Sequence, residues 1–238
     1  MRKLVAGIAA AGAVFAVTTS ASAQSFGEEG GMALSADRLF GITSYNVKSE
    51  VDAPGSEEQE ISGTNVSLLW GVAPRVGGGG IEIPIPSAIP RLSFDYFVIE
   101  SLSIGGSLGY YSSSGEVDPG GNAEKYDLDK VSAIALNPRV GYAIPLGDTS
   151  AVWLRGGFTY MKVTIDPDQG DDTPVSVMQL DLEAMFVIGI VDNFGFQVGP
   201  AIDLPLGGKA EIDAGGETYD IDIKVMSFGG YGGLVGWF

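Results

Sequence analysis

Arg91, Asp95, Asn137, Arg139, Arg155, Gln179, Asp181 and Glu183 are the side chains in this 238-residue sequence whose types and spacing could do chemistry together. Each falls on the polar side of a stretch that alternates apolar and polar residues, so a folded sheet would point them the same way. Asp95, Asp181 and Glu183 could supply the carboxylate pair of an acid/base hydrolysis. Arginines that exchange carboxylate partners could instead gate a polar path or hold a ligand. The plainer reading is a network that fills and neutralises an interior, because buried charges must be paired to be tolerable. The sequence contains neither histidine nor cysteine. That removes the usual general base of serine and cysteine hydrolases, the commonest zinc ligand, thiolate metal sites and disulfides. No enzyme is expected, and no cofactor.

Two further motifs lead to little. Asp166-Pro-Asp-Gln-Gly-Asp-Asp has carboxylates at alternating positions, but its glycine falls in the wrong place for a calcium loop and the distal glutamate is missing. Gly77 to Gly80 lack the lysine-serine or lysine-threonine pair and the helix of a phosphate-binding loop, and read as a connector.

The elements that position these residues have a period of two. From Met178 to Ile190 one parity reads Met178, Leu180, Leu182, Ala184, Phe186, Ile188, Ile190, and the other begins Gln179, Asp181, Glu183. Leu92, Phe94, Tyr96 and Val98 oppose Arg91, Ser93 and Asp95 in the same manner. The split recurs over Leu102–Tyr111, Ala133–Ile144, Val152–Tyr160 and Phe196–Asp203, and a final strand runs from about Ile221 to Phe238. Each stretch is about ten residues long, which suits a tilted strand crossing a bilayer. Apart from the first residues, no run is apolar for long enough to form a membrane helix.

Arg2 and Lys3 precede an apolar run from Leu4 to Val17 and the small-residue site Ala21-Ser22-Ala23. Residues 1–23 therefore read as a signal peptide and residues 24–238 as one exported domain. Losing Arg2 and Lys3 deepens the formal charge of −17 by two. Nucleic acid is accordingly an improbable partner. The acids gather in long links, Ser113–Lys130, Ile165–Thr173 and Gly207–Asp220, whereas Ile99–Ser101, Pro145–Thr149 and Asp192-Asn193 are tight turns. Alternating short turns and long loops mark an up-and-down barrel of the outer membrane, with the loops outside. Trp70, Tyr96, Tyr110, Tyr142, Tyr160 and Trp237 suit its interfacial girdles.

The stretch Pro90-Arg91-Leu92-Ser93-Phe94-Asp95-Tyr96-Phe97, followed by Leu102-Ser103-Ile104-Gly105-Gly106, resembles a hairpin of the small outer-membrane β-barrel family, the OmpA/OmpX-like group. Asn137-Pro138-Arg139-Val140-Gly141-Tyr142 resembles it too, and the chain ends in Trp237-Phe238, similar to the family's assembly signal. The resemblance implies an all-β, antiparallel transmembrane barrel in a Gram-negative cell envelope, surrounded by outer-membrane lipid and lipopolysaccharide. It also implies handling by the barrel-assembly machinery through the C-terminal strand. Barrels of this kind have even strand numbers. Eight strands are expected if one amino-terminal segment, Met32–Val47 or Ser62–Trp70, is incomplete, and ten if Val76–Ile85 adds one; Pro84, Pro86 and Pro90 speak for eight. The functional expectation is a non-enzymatic barrel with a structural or surface-interaction role through acidic loops. Two rivals stand beside it: a small-solute pore, and a soluble periplasmic barrel of lipocalin type with its apolar face turned inward.

Overall fold

The computed structural model describes residues 25–52, 56–68, 75–76, 83–117, 126–147, 149–166, 173–214 and 217–238. The strands are β1 (Met32–Val51), β2 (Gln59–Leu68), β3 (Arg75–Val76), β4 (Ile83–Pro84), β5 (Arg91–Ile99), β6 (Leu102–Val117), β7 (Tyr126–Gly147), β8 (Ser150–Asp166), β9 (Thr173–Val191), β10 (Phe194–Ala214) and β11 (Glu217–Trp237). From β5 to β11 each strand pairs antiparallel with the next, and β11 returns to β1 from Ala33↔Trp237 to Val51↔Ile221. The lower part of β1 then pairs with β5, from Met32↔Tyr96 to Asp37↔Arg91, and closes a ring of eight.

The strand count turns on β2. It pairs with the upper part of β1, from Phe40↔Leu68 to Ser49↔Gln59, and so shares with β5 the lane beside β1. β5 covers the half near the short turns, and β2 covers the other half. Of the Val76–Ile85 stretch, only the two-residue pairing of β3 with β4 is strand among the described residues. Prolines 84, 86 and 90 leave no donor for a ladder there. β5 pairs with β6 only as far as Arg91↔Gly109. Beyond that point β6 continues to Val117 paired with β7 alone among the described residues.

The strands are longer than the alternation of lipid-like residues suggested. β6 has 16 residues and β7 has 22; β8 to β11 fall between these lengths. At about 3.3 Å per residue and a tilt near 40°, twenty residues rise about 50 Å, roughly twice the apolar band of an outer-membrane barrel. Much of what reads as acidic loop is therefore strand that projects beyond the membrane. Of the three long links, residues 118–125, 167–172 and 215–216 lie outside the described residues, as do the calcium-like Pro167–Asp172, the Gly77–Gly80 connector and Trp70.

Within the projection the two faces exchange character. On β8 the outward Phe158 and Tyr160 give way to Lys162, while the inward Arg155 and Thr159 give way to Met161, Val163 and Ile165. On β7 outward Leu136 and Ile134 give way to Lys130, and inward Arg139 and Asn137 to Ala135, Ala133 and Val131. β9 and β11 do the same, with Val175 and Val177 inside one and Ile221, Ile223 and Val225 inside the other. The lower half is thus apolar outside and charged inside, as a bilayer demands. The upper half is polar outside and apolar inside, as water demands.

Candidate functional site in the barrel lumen

All eight side chains singled out in the sequence lie in the lumen, seven of them buried and Glu183 nearly so. β5 carries Arg91 and Asp95, β7 Asn137 and Arg139, β8 Arg155, and β9 Gln179, Asp181 and Glu183. They do not form one cluster. Arg139 reaches Asp95 with two donors, Nε at 3.1 Å and Nη2 at 2.6 Å, and turns Nη1 to Asp37 at 2.6 Å. Asp37 also receives Ser93 and Gln197, each at 2.5 Å, and faces Arg155 at 3.4 Å. Arg155 continues to Glu183 at 2.6 Å, and Glu183 to Arg38 at 2.9 Å. Arg38 grips both oxygens of Asp203, at 2.8 and 2.9 Å, and Ser227 donates to the same carboxylate at 2.8 Å. This belt of alternating charge crosses the lumen from β5 to β11. Arg91 stands above it with Asp181 at 3.3 Å, Thr159 at 3.0 Å and Asn137, which donates to Asp181 at 2.7 Å. Gln179 instead donates to the backbone carbonyl of Val225 at 2.7 Å.

The sequence reading missed Asp37, Arg38, Gln197 and Asp203. Asp203 and Gln197 sat on the polar parity of their strand and could have been added. Asp37 and Arg38 could not be placed by parity, since consecutive strand residues point to opposite faces. A register shift between Ala36 and Phe40, with Arg38 at φ 55°, puts both into the lumen. Such a bulge re-aims a side chain and leaves no clean alternation to read.

Below the belt an aromatic floor closes the end that carries the short turns. Phe26 meets Phe97, Trp153 and Trp237 edge-on, at centroid separations of 5.4, 5.1 and 5.6 Å. Ala33, Ala143, Met185, Val187 and Val235 complete it. Trp237 is therefore not a girdle residue. It is 6% exposed and points inward, whereas Tyr96, Tyr110, Tyr142 and Tyr160 are outward and exposed, as girdle residues are. Trp153 belongs to both layers, its ring under the guanidinium of Arg155 at 4.7 Å and of Arg139 at 5.5 Å. The inward Gly141 leaves the space this needs, for a Cβ there would strike Trp153 and Ser103.

Above the belt, Val47, Val131, Ala133, Ala135, Met161, Val163, Ile165, Val175, Val177, Ala210, Ile221, Ile223 and Val225 form a continuous apolar cup. The segment Ile83–Ile89 sits in it, with Ile83, Ile85 and Ile89 buried against that wall. A 3-10 turn at Pro86–Ala88 interrupts the segment, with Ile85 and Ile89 extended on either side. Ile89 lies against Gly109 of β6, where the β5–β6 ladder ends, and among the described residues β2 and β6 share no ladder.

A search of family models finds no match, and neither does a search of curated proteins. The fold, however, is that of solved outer-membrane barrels. The outer membrane protein OprG from Pseudomonas aeruginosa superposes with a TM-score of 0.54 at 14% identity, over 89% of this chain and 97% of that one. Outer membrane protein AlkL, whose structure was determined in lipid bilayers, gives 0.51 at 11% identity, over 93% and 97%. The outer membrane protease OmpT from Escherichia coli gives 0.43 at 9% identity, over 91% and 99%, too distant to argue from. The chain has the fold of a small outer-membrane β-barrel.

Proposed function

We propose that this barrel is a non-enzymatic entry port that takes small apolar molecules from outside the cell into its upper cup and releases them sideways into the bilayer. The observation that carries the reading is the exchange of faces: an outward polar, inward apolar wall built above the membrane on β7, β8, β9 and β11. Packing against Ile83, Ile85 and Ile89 already stabilises this wall, and an apolar ligand that took the place of that segment would gain about 25 cal/mol for each Å² it removes from water. An axial route is opposed twice, by the ion-paired belt and by the aromatic floor. A lateral route would use the place where β2 and β6 share no ladder among the described residues, and would require the Ile83–Ile89 segment to move.

Lipid and lipopolysaccharide then surround the apolar band. The assembly machinery would read the C-terminal strand with Trp237 and Phe238. Glu211, Asp220 and Asp222 on the outer faces of β10 and β11 keep the rim in water and offer a second role, attraction of a cationic surface partner. The test is entry of labelled n-octane into vesicles with a lipopolysaccharide outer leaflet, run beside planar-bilayer conductance. Entry several times faster than in protein-free vesicles, without conductance, is expected. Steady conductance with no gain in octane entry would replace this reading with a solute pore.

A further inference from the structure

The segment that fills the cup has the form of a ligand. Its side chains Ile83, Ile85 and Ile89 give it an apolar body, and at its turn the carbonyl of Pro86 accepts a bond of 3.4 Å from Nη2 of Arg91. Arg91 marks the boundary of the two halves: below it lie Asp95 and the belt, and beside it Thr159 and Asp181 take Nη1. Directly above those partners the wall becomes Met161, Val177 and Ala135. Arg91 is 3% exposed, and its Nε has no acceptor among the described residues. A buried guanidinium donor without a partner is costly and is a standing offer to an acceptor. At the floor of an otherwise apolar cup, one charged donor is thus held by a long bond to a displaceable carbonyl and another is unused.

We infer that the ligand of this cup is an apolar molecule with a single acceptor oxygen, a ketone, aldehyde or ester of a short alkyl chain, which displaces Ile83–Ile89 and takes over the hydrogen bond to Arg91. The inference rests on the entry-port reading and specifies its ligand class. An alkane can fill the cup but leaves Nη2 of Arg91 without its acceptor once the Pro86 carbonyl has left, while Nη1 keeps Thr159 and Asp181. A carboxylate would meet Asp181 beside the same guanidinium. A neutral carbonyl matches both the wall and the donor. Charge-assisted hydrogen bonds of this kind favour the matched ligand by roughly tenfold or more over one that lacks the acceptor.

The experiment uses the full barrel in vesicles loaded with carbonyl-labelled 2-octanone, with n-octane as the matched probe. The infrared carbonyl stretch of the ketone should show a protein-dependent, red-shifted component in the wild type. Arg91→Met combined with Asp181→Asn, which removes the pair without stranding a charge, should lose that component in a barrel that still shows the heat shift of the folded protein. Should the double variant fail the heat-shift test of folding, the wild type decides alone: an arginine ¹⁵Nε resonance shifts with 2-octanone and not with octane. Uptake of both probes with no shifted band, or a band that survives in the folded variant, overturns the ligand class and leaves the apolar port standing. Failure of both probes to accumulate above protein-free vesicles overturns the port as well.

Discussion

Arg139 binds two carboxylates from different strands, Asp95 on β5 and Asp37 on β1, and is 6% exposed. Replacing it with methionine takes the cation from Asp95 and leaves Asp37 with Arg155 alone. Removal of one partner from a buried ion pair costs about 3–5 kcal/mol, well above the net worth of the pair itself. Arg139→Met should therefore lower the urea midpoint of the barrel in detergent, and Arg139→Met with Asp95→Asn should recover part of that loss. Equal midpoints for the single variant and wild type would mean that the belt contributes no stability. Arg139 and Asp95 were legible because strict alternation assigns a face to each residue. Asp37 and Arg38, the hub of the same belt, were hidden by a bulge that breaks the alternation, and no composition or spacing signals a positive φ at an arginine.

The strand is the scale at which the two faces are decided. Leu182 points to lipid on β9, 45% exposed between inward Asp181 and Glu183. An arginine at such a position near the bilayer midplane costs about 2–4 kcal/mol. Leu182→Arg should thus assemble poorly, seen as loss of the heat-shifted species on unheated gels, whereas Lys162→Leu on the polar face above the membrane should assemble normally. The reverse ranking would place the membrane at the wrong height. On β2, Glu60 accepts a bond of 2.5 Å from Asn46 and faces Lys48 at 3.5 Å. Asn46 first, and then Lys48, hold its carboxyl below the ordinary range. A depressed folded value means the contribution is present above the ordinary carboxylate range and fades as pH falls through the folded value. The β1–β2 ladder should loosen at acid pH, read from amide resonances of β2, and Glu60→Gln should remove that pH dependence. The height of the strands was only half legible. Met161, Val163 and Ile165 alternate with Lys162 and Thr164 as cleanly as any lipid-facing set, but with the faces exchanged, so a search for outward apolar residues stops at Tyr160 although the strand runs on to Asp166.

For the whole molecule, closure is set by barriers in series. The cup ends on Arg91, the belt crosses the lumen at the level of Asp37 and Glu183, and the floor of Phe26, Phe97, Trp153 and Trp237 seals the lower end. The lipocalin rival expected apolar residues inside and the membrane barrel expected them outside; the chain does each at a different height, which neither reading of a single face could express. Ions moving along the axis must pass belt and floor in turn, so opening one of them cannot produce current. Trp153→Ala thins the floor and also removes the ring beneath Arg155 and Arg139, yet both guanidiniums keep their carboxylates. Planar-bilayer recordings of Trp153→Ala should therefore stay at background. Adding Arg139→Gln and Arg155→Gln removes two of the three cations of the belt and leaves Asp37 without one, and discrete cation-selective steps should then appear. Steps in Trp153→Ala alone would mean that the belt is permeable as it stands, and that the axial route, rejected in favour of lateral release, is open to small ions.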